Sequence, residues 1–210
     1  MKKWRVSAGS AAALGLRRIK TSAPTTTAYL MLGEGCKNNC AFCAQARESS
    51  TSAKFLSRVS WLPLIDDDVV AALTGSDQQR VCLQVVSNQT GYELTKEALS
   101  KLAVTGLPVA VSTHLNSVEQ VQKLLAAGAQ RVGLAIDVAD PALYARIKGG
   151  DFAQKWEFIL ACARMFPDRI TTHIIVGLGE TEQQVLELAA QCVQASVTVA
   201  LFAFTPIVGT

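Results

Sequence analysis

Six short runs of apolar and β-branched residues recur along the chain, at positions 27–32, 81–86, 108–113, 131–136, 170–176 and 197–204. Between them, apolar residues return at helical spacing. Val118, Val121, Leu124 and Leu125 form one stripe; Ser117-Val-Glu-Gln120 opens it as a capping box and Gly128 stops it. A second capping box, Thr181-Glu-Gln-Gln184, leads into Val185, Leu188, Ala189 and Cys192. Asp140-Pro141 has the order of an N-cap followed by a first-turn proline, with Lys148-Gly149-Gly150 as the stop. Phe158, Ile159, Cys162, Met165 and Phe166 make a further stripe, ended by Pro167. Strand and helix alternate throughout, which predicts an α/β fold with parallel strands and right-handed crossovers. Six such units fit a partial (βα)6 TIM-type barrel; an open doubly wound sheet shares the same periodicity and stays as the alternative. The expected organisation is an N-terminal extension over residues 1–26 and one core domain over 27–210, ending at the sixth strand.

Composition narrows the class. Half of the 210 residues are apolar and 18% are charged, which excludes disorder and suits strands buried on both faces. The net charge of +3 is too small and too mixed to call for a nucleic acid or a membrane surface. No run approaches the roughly 18 apolar residues of a membrane span. The stretch 6–16 after Lys2, Lys3 and Arg5 is interrupted by Ser7, Gly9, Ser10 and Gly15 and lacks a convincing cleavage site, so a signal peptide is not expected. Six Cys are too few for a disulfide scaffold, and a reducing cytoplasm is the expected compartment.

The cysteines are unevenly placed. Cys36, Cys40 and Cys43 fall within Gly33-Glu-Gly-Cys-Lys-Asn-Asn-Cys-Ala-Phe-Cys-Ala-Gln-Ala-Arg47, just past the first predicted strand. Parallel barrels collect their active sites at that edge. Three thiolates at this spacing converge on a soft metal centre, whereas a closed zinc site or a fully protein-bound cubane takes four ligands. The chain's two His, His114 and His173, are distant in sequence. One metal position is therefore open to an exogenous ligand, unless a remote fourth residue completes a zinc site.

The C-x3-C-x2-C loop, with Phe42 just before its last Cys, resembles the signature of the radical S-adenosylmethionine enzymes. Ile175-Val-Gly-Leu-Gly-Glu-Thr181 resembles the fifth-strand motif of the biotin synthase branch, and Phe204-Thr-Pro-Ile-Val-Gly-Thr210 its sixth-strand ending. Tyr29-Leu-Met and Cys43-Ala-Gln-Ala-Arg-Glu-Ser49 are closer to the lipoyl synthases of that branch that work as a two-protein pair. The resemblance implies a 4Fe–4S cluster held by Cys36, Cys40 and Cys43, with S-adenosylmethionine chelating the fourth iron. It also implies a 5′-deoxyadenosyl radical that takes hydrogen from an unactivated C–H bond.

By the same resemblance, Gly177, Leu178, Gly179 and Glu180 lie against the adenosine. Ser87 or Asn88 stands where relatives carry Gly-Gly-Glu facing the methionine amino group. Asp137 is expected at the ribose hydroxyls, and His114 at a substrate pocket. Cys162 and Cys192 fall on apolar helical stripes and read as packing. Biotin synthase has a cluster-ligating Cys at a place like that of Cys82, but the equivalent positions near 110–111 and 171 carry no Cys. Cys82 therefore reads as core. The implied reaction is sulfur insertion of the lipoyl-synthase type on a lipoyl-domain-bound acyl chain or a small molecule. It would be served by a reducing partner such as a ferredoxin or flavodoxin and by a paired radical enzyme. A rearrangement or C–C cleavage is the alternative, and a non-catalytic iron–sulfur scaffold a remote third. A chain of this length holds the cofactor-activating half-barrel, leaving substrate closure to a further segment or a partner.

Overall fold

The computed structural model describes residues 2–21, 23 and 25–209. Its strands are β1 (Lys3–Ser7), β2 (Thr27–Leu32), β3 (Phe55–Leu56), β4 (Val59–Ile65), β5 (Arg80–Val85), β6 (Val109–Ser112), β7 (Ala129–Gly133), β8 (Ile170–Val176) and β9 (Thr198–Ala203). The helices are α1 (Ala8–Ala13), α2 (Asp66–Leu73), α3 (Gly91–Leu102), α4 (Val118–Ala126), α5 (Pro141–Ile147), α6 (Phe152–Met165) and α7 (Glu182–Gln194). All nine strands join one curled half-barrel sheet in the order β3-β4-β1-β2-β5-β6-β7-β8-β9. From β2 to β9 every neighbour is parallel, which is the expected partial barrel. The doubly wound alternative falls away.

The sheet is nevertheless mixed. β1 runs antiparallel to both β2 and β4, and β3–β4 is a hairpin. Most of the stretch at 3–13 thus belongs to the sheet and to α1, whose N-cap Ser7 accepts from the Ser10 amide.

Burial alternates along the strands. On β5, Val81 and Leu83 are fully buried against the helices, while Cys82 and Gln84 face the inside of the curl. Strand registry therefore lines up inner-face rows. One row runs Tyr29, Cys82, Ala110, Arg131; the next runs Met31, Gln84, Ser112, Gly133, Thr171, Thr198. Cys82, expected in the core, is a half-buried inner-face residue.

Two local details depart from expectation. The strand predicted over 131–136 pairs only to Gly133, and Asp137 meets β8 through an isolated bridge at Ile174. In between, the Thr172 hydroxyl carries the ladder, accepting from the Ile136 amide at 3.0 Å and donating to the Leu134 carbonyl at 2.9 Å. The capping box at Thr181 forms in full, whereas Gln120 reaches past Ser117 to the Asn116 amide. Asp140 caps α5 through the Leu143 amide, as its Asp-Pro start predicts.

Candidate functional site: the cysteine loop and the sheet edge around it

Cys36, Cys40 and Cys43 sit on the loop that leaves β2, each partly buried and unpaired. A loop rich in polar residues holds one shape only if its backbone groups find partners, and here they do from several sides. The Lys37 amide donates to the Ser87 carbonyl at 2.7 Å, and the Ala41 amide to the Ile147 carbonyl at 2.8 Å. Within the loop, Arg47 donates to the Asn38 carbonyl, and Asn39 exchanges two hydrogen bonds with Glu48.

The principal clamp comes from β1. Arg5, only 7% exposed, donates to the Gly33 carbonyl at 2.5 Å, to Gln45 Oε1 at 3.0 Å and to the Ala53 carbonyl at 2.7 Å. Gln45 in turn donates to the carbonyls of Ala53 and Phe55. One guanidinium thus ties the start of the loop to its end and to the β3–β4 hairpin. Burial lowers the Arg5 pKa and nearby Glu34 partly offsets it.

Beside the loop, Met31, Trp61 and Val86 form a small apolar cluster against which Cys36 and Leu56 pack. Burial pushes the Cys40 thiol up to about 12, with Lys148 pulling it down and Asp137, Cys43 and Cys36 adding to the rise. Cys43 is likewise raised, first by burial. Cys40 thus feels both other cysteines, and Cys43 feels Cys36. Three soft sulfurs on one loop, two of them with thiols that burial keeps protonated until a metal takes them, suit an iron–sulfur cluster. Among the described residues, no three His, Cys, Asp or Glu side chains converge tightly enough to share one metal ion. A cluster in which each thiolate takes its own iron does not ask for that.

The remaining expected residues line the same edge. Asn88 donates to the Glu34 carbonyl at 2.8 Å and accepts from the Thr90 amide, so its side chain braces the loop; Ser87 meets the loop through its carbonyl. Phe42 packs against the main core. Gly177 and Gly179 hold φ of +103° and +120°, a region that side chains rarely adopt. Glu180 folds back on that turn, accepting from the amides of Gly177 at 2.5 Å and Leu178 at 2.9 Å. Its carboxylate therefore rigidifies the turn.

Asp137 is buried, with φ +65°, between His173 Nε2 at 2.6 Å and the ammonium of Lys148. Burial alone would raise its pKa, but Lys148 and His173 hold the carboxyl well below the usual carboxylate range. His173 itself points to the inner face, edge-on to Phe202 with ring centroids 5.6 Å apart. His114 stands on the loop after β6, exposed as a residue, with its imidazole partly desolvated. That desolvation, with Lys155, Lys37 and Lys148 nearby, lowers its pKa to about 4, so it is neutral at physiological pH. Three participants were not anticipated as site residues: Arg5, Trp61 and Lys148. Arg5 and Trp61 come from antiparallel strands outside the βα repeat, and Lys148 looks in sequence like an ordinary helix-end cation. The tail after β9 also returns to the loop, where Ser49 and the Ser50 amide bond the Gly209 carbonyl and Thr51 bonds that of Val208.

A parallel half-barrel that holds a three-thiol loop where its first parallel strand ends defines an α/β protein built around a soft metal cofactor. The chain matches the Radical SAM superfamily over residues 30–192 and belongs to it. Members of this superfamily use a 4Fe–4S cluster and S-adenosylmethionine.

A GTP 3′,8-cyclase from Gloeobacter violaceus is 36% identical over 111 residues, half of this chain and 34% of that protein. Among solved structures, methylornithine synthase superposes with a TM-score of 0.68 at 18% identity, over 88% of this chain and 55% of that one. The FeFe-hydrogenase maturase HydG from Carboxydothermus hydrogenoformans gives 0.67 at 15%, over 87% and 45%. This chain spans about a third of the cyclase and about half of each solved chain. The solved structures carry the fold, and none of these relatives singles out the biotin and lipoyl synthase branch. No helix among the described residues is long and apolar enough to cross a membrane.

Proposed function

We propose that this chain is the radical-generating core of a sulfur-inserting enzyme of the lipoyl-synthase type, acting with a partner protein on an acyl chain. The observation that carries this reading is the use made of Cys43-Ala-Gln-Ala-Arg-Glu-Ser49, the segment that resembles the paired lipoyl synthases. Gln45, Arg47, Glu48 and Ser49 are the residues that close the cysteine loop, dock it to the hairpin and receive the tail.

In this reading Cys36, Cys40 and Cys43 each hold one iron. The chemistry supplied by the bound cofactors is reductive cleavage of S-adenosylmethionine to a radical able to take hydrogen from an unactivated carbon. The protein's part is placement and exclusion. The Gly177–Gly179 turn, stiffened by Glu180, flanks the adenosine. Asp137 is already held by Lys148 and His173, so it presents a fixed carboxylate to the ribose edge with little reorganisation. Trp61, Met31 and Val86 keep water from Cys36. Sulfur comes from the partner, because the inner-face row of Cys82 offers a single thiol beside Tyr29, Ala110 and Arg131. A ferredoxin or flavodoxin supplies the electron.

A radical rearrangement of a polar substrate is the second reading, favoured by the likeness to GTP 3′,8-cyclase and by Gln84, Ser112, Thr171 and His173 on the inner face. Anaerobically reconstituted protein with dithionite and S-adenosylmethionine is expected to release 5′-deoxyadenosine, and Cys36→Ala to abolish it. Adding the partner and an octanoylated lipoyl-domain peptide should give a mass gain of sulfur. 5′-Deoxyadenosine without sulfur gain, but with turnover of a nucleotide, selects the second reading.

A further inference from the structure

Trp61 is 3% exposed, yet its indole Nε1 is buried with no hydrogen-bond partner among the described residues. Buried indole N–H groups nearly always donate, because an unpaired one has lost its hydration with nothing in return. Its surroundings explain what it lacks. The apolar cluster that holds the indole comprises Met31, Val86, Leu56 and Cys36, whose side chains carry only two acceptors, both sulfur. Neither lies within bonding reach.

The strand that delivers Trp61 is held firmly. Ser7 of β1 pairs with it in register, and its own amide donates to the Lys54 carbonyl at 2.7 Å. The same β1 carries Arg5, which ties the hairpin to both ends of the cysteine loop. The indole is therefore fixed relative to Cys36 by the clamp that shapes the loop.

We propose that the Trp61 indole N–H donates to an inorganic sulfide of the iron–sulfur cluster beside Cys36, and so sets the cluster's potential. This rests on the assignment of Cys36, Cys40 and Cys43 as ligands. A hydrogen bond to a cluster sulfur favours the reduced, more negative state and raises the potential. Trp61 is a positioning and tuning residue that touches no substrate.

Two measurements on the reconstituted full chain test this. In Trp61→Phe, which keeps an aromatic ring and removes the donor, the potential from an EPR-monitored titration should fall. At a fixed poise the ratio of reduced to oxidised cluster should drop by about tenfold, which is about 59 mV for one electron. In wild-type protein labelled with 15N in its indoles, the reduced cluster should show a nitrogen hyperfine coupling. The label also enters Trp4 and Trp156, but Trp4 packs in the main core and Trp156 lies on α6. The wild-type measurement decides the matter even if the variant fails to fold. A fully loaded cluster with no nitrogen coupling, or an unchanged potential in a folded Trp61→Phe, overturns the proposal. A Cys36→Ala variant that loads iron and sulfide like wild type instead overturns the ligand assignment, and iron and sulfide counts tell the two failures apart.

Discussion

At the scale of single residues, the site depends on side chains that do no chemistry. Arg5 shows why. Its fork of donors satisfies three acceptors from three segments at once, a geometry that a lysine ammonium on a flexible stem cannot copy. Arg5→Ala removes hydrogen bonds from a charged donor to three acceptors at once, and such losses cost about 1.5–3 kcal/mol. We expect a lower urea midpoint and faster proteolytic cutting between residues 44 and 55, with Arg5→Lys recovering only part of the loss. An Arg5→Ala protein with wild-type midpoint and wild-type cutting would show that the loop holds its shape unaided. Asp137 behaves differently, because its partners are the Lys148 ammonium and the His173 imidazole. Asp137→Asn leaves the Lys148 ammonium in a buried site without its carboxylate, and an expected loss of about 3 kcal/mol follows from the unpaired charge. Denaturation at pH 7 reads it directly; a loss below about 1 kcal/mol would mean that water already screens the pair.

At the scale of elements, the inner face of the sheet is packed more tightly than its polarity suggests. A Cβ at Gly133 would stand 2.7 Å from Ser112 Oγ and 3.1 Å from Thr171 Oγ1, so Gly133→Ala forces its neighbours apart. Overpacking of this kind costs about 1–3 kcal/mol. The expected result is a lower urea midpoint for Gly133→Ala, partly restored when Ser112→Ala is added, because the nearest obstructing atom is then gone. A double variant no better than the single one would place the strain in the backbone. The parallel strands, their helices and the cysteine loop were legible because each announces itself locally: β-branched runs, capping residues and close-set cysteines. The antiparallel edge was not. In β1 the charged Arg5 occupies a buried position, and the small-residue run after it has no periodicity; in β4, Pro63 interrupts the strand pattern. Their pairing comes from contacts 24 to 62 residues away, which no local window contains. The placement of Cys82 failed for a related reason. An alternating strand shows which residues share a face, but only the curl of the sheet shows which face is the inside.

At the scale of the molecule, cations gather at the edge that carries the cysteine loop, and the fold bears their mutual repulsion. Lys155 on α6 records it: burial first, then Lys148, lower its pKa to about 8, with Asp137 pulling the other way. An unfolded lysine titrates near 10.4. Below about pH 8 both states are protonated, and the folded chain carries the full cost of holding that charge. Between about 8 and 10.4 the unfolded state binds more protons, so the contribution of Lys155 to stability rises with pH. Other groups push the opposite way. The thiols of Cys82, Cys162 and Cys192 are each raised to about 11 by burial, so the folded state binds more protons than the unfolded one above about pH 8.5, and stability falls there. Total stability against pH therefore mixes two opposed slopes, and the informative quantity is the difference between wild type and Lys155→Met. That variant keeps an apolar stem and removes the charge, which lies over the Phe158 ring 5.3 Å from its centroid. It should be more stable than wild type by roughly 1–2 kcal/mol at pH 7, a value reduced from the full linkage figure because the side chain keeps some solvent contact. The advantage should shrink steadily from pH 8 to pH 10 in urea titrations. A difference that stays constant across that range would show that Lys155 gains or loses no proton on folding, and that the cations at this edge are screened from one another.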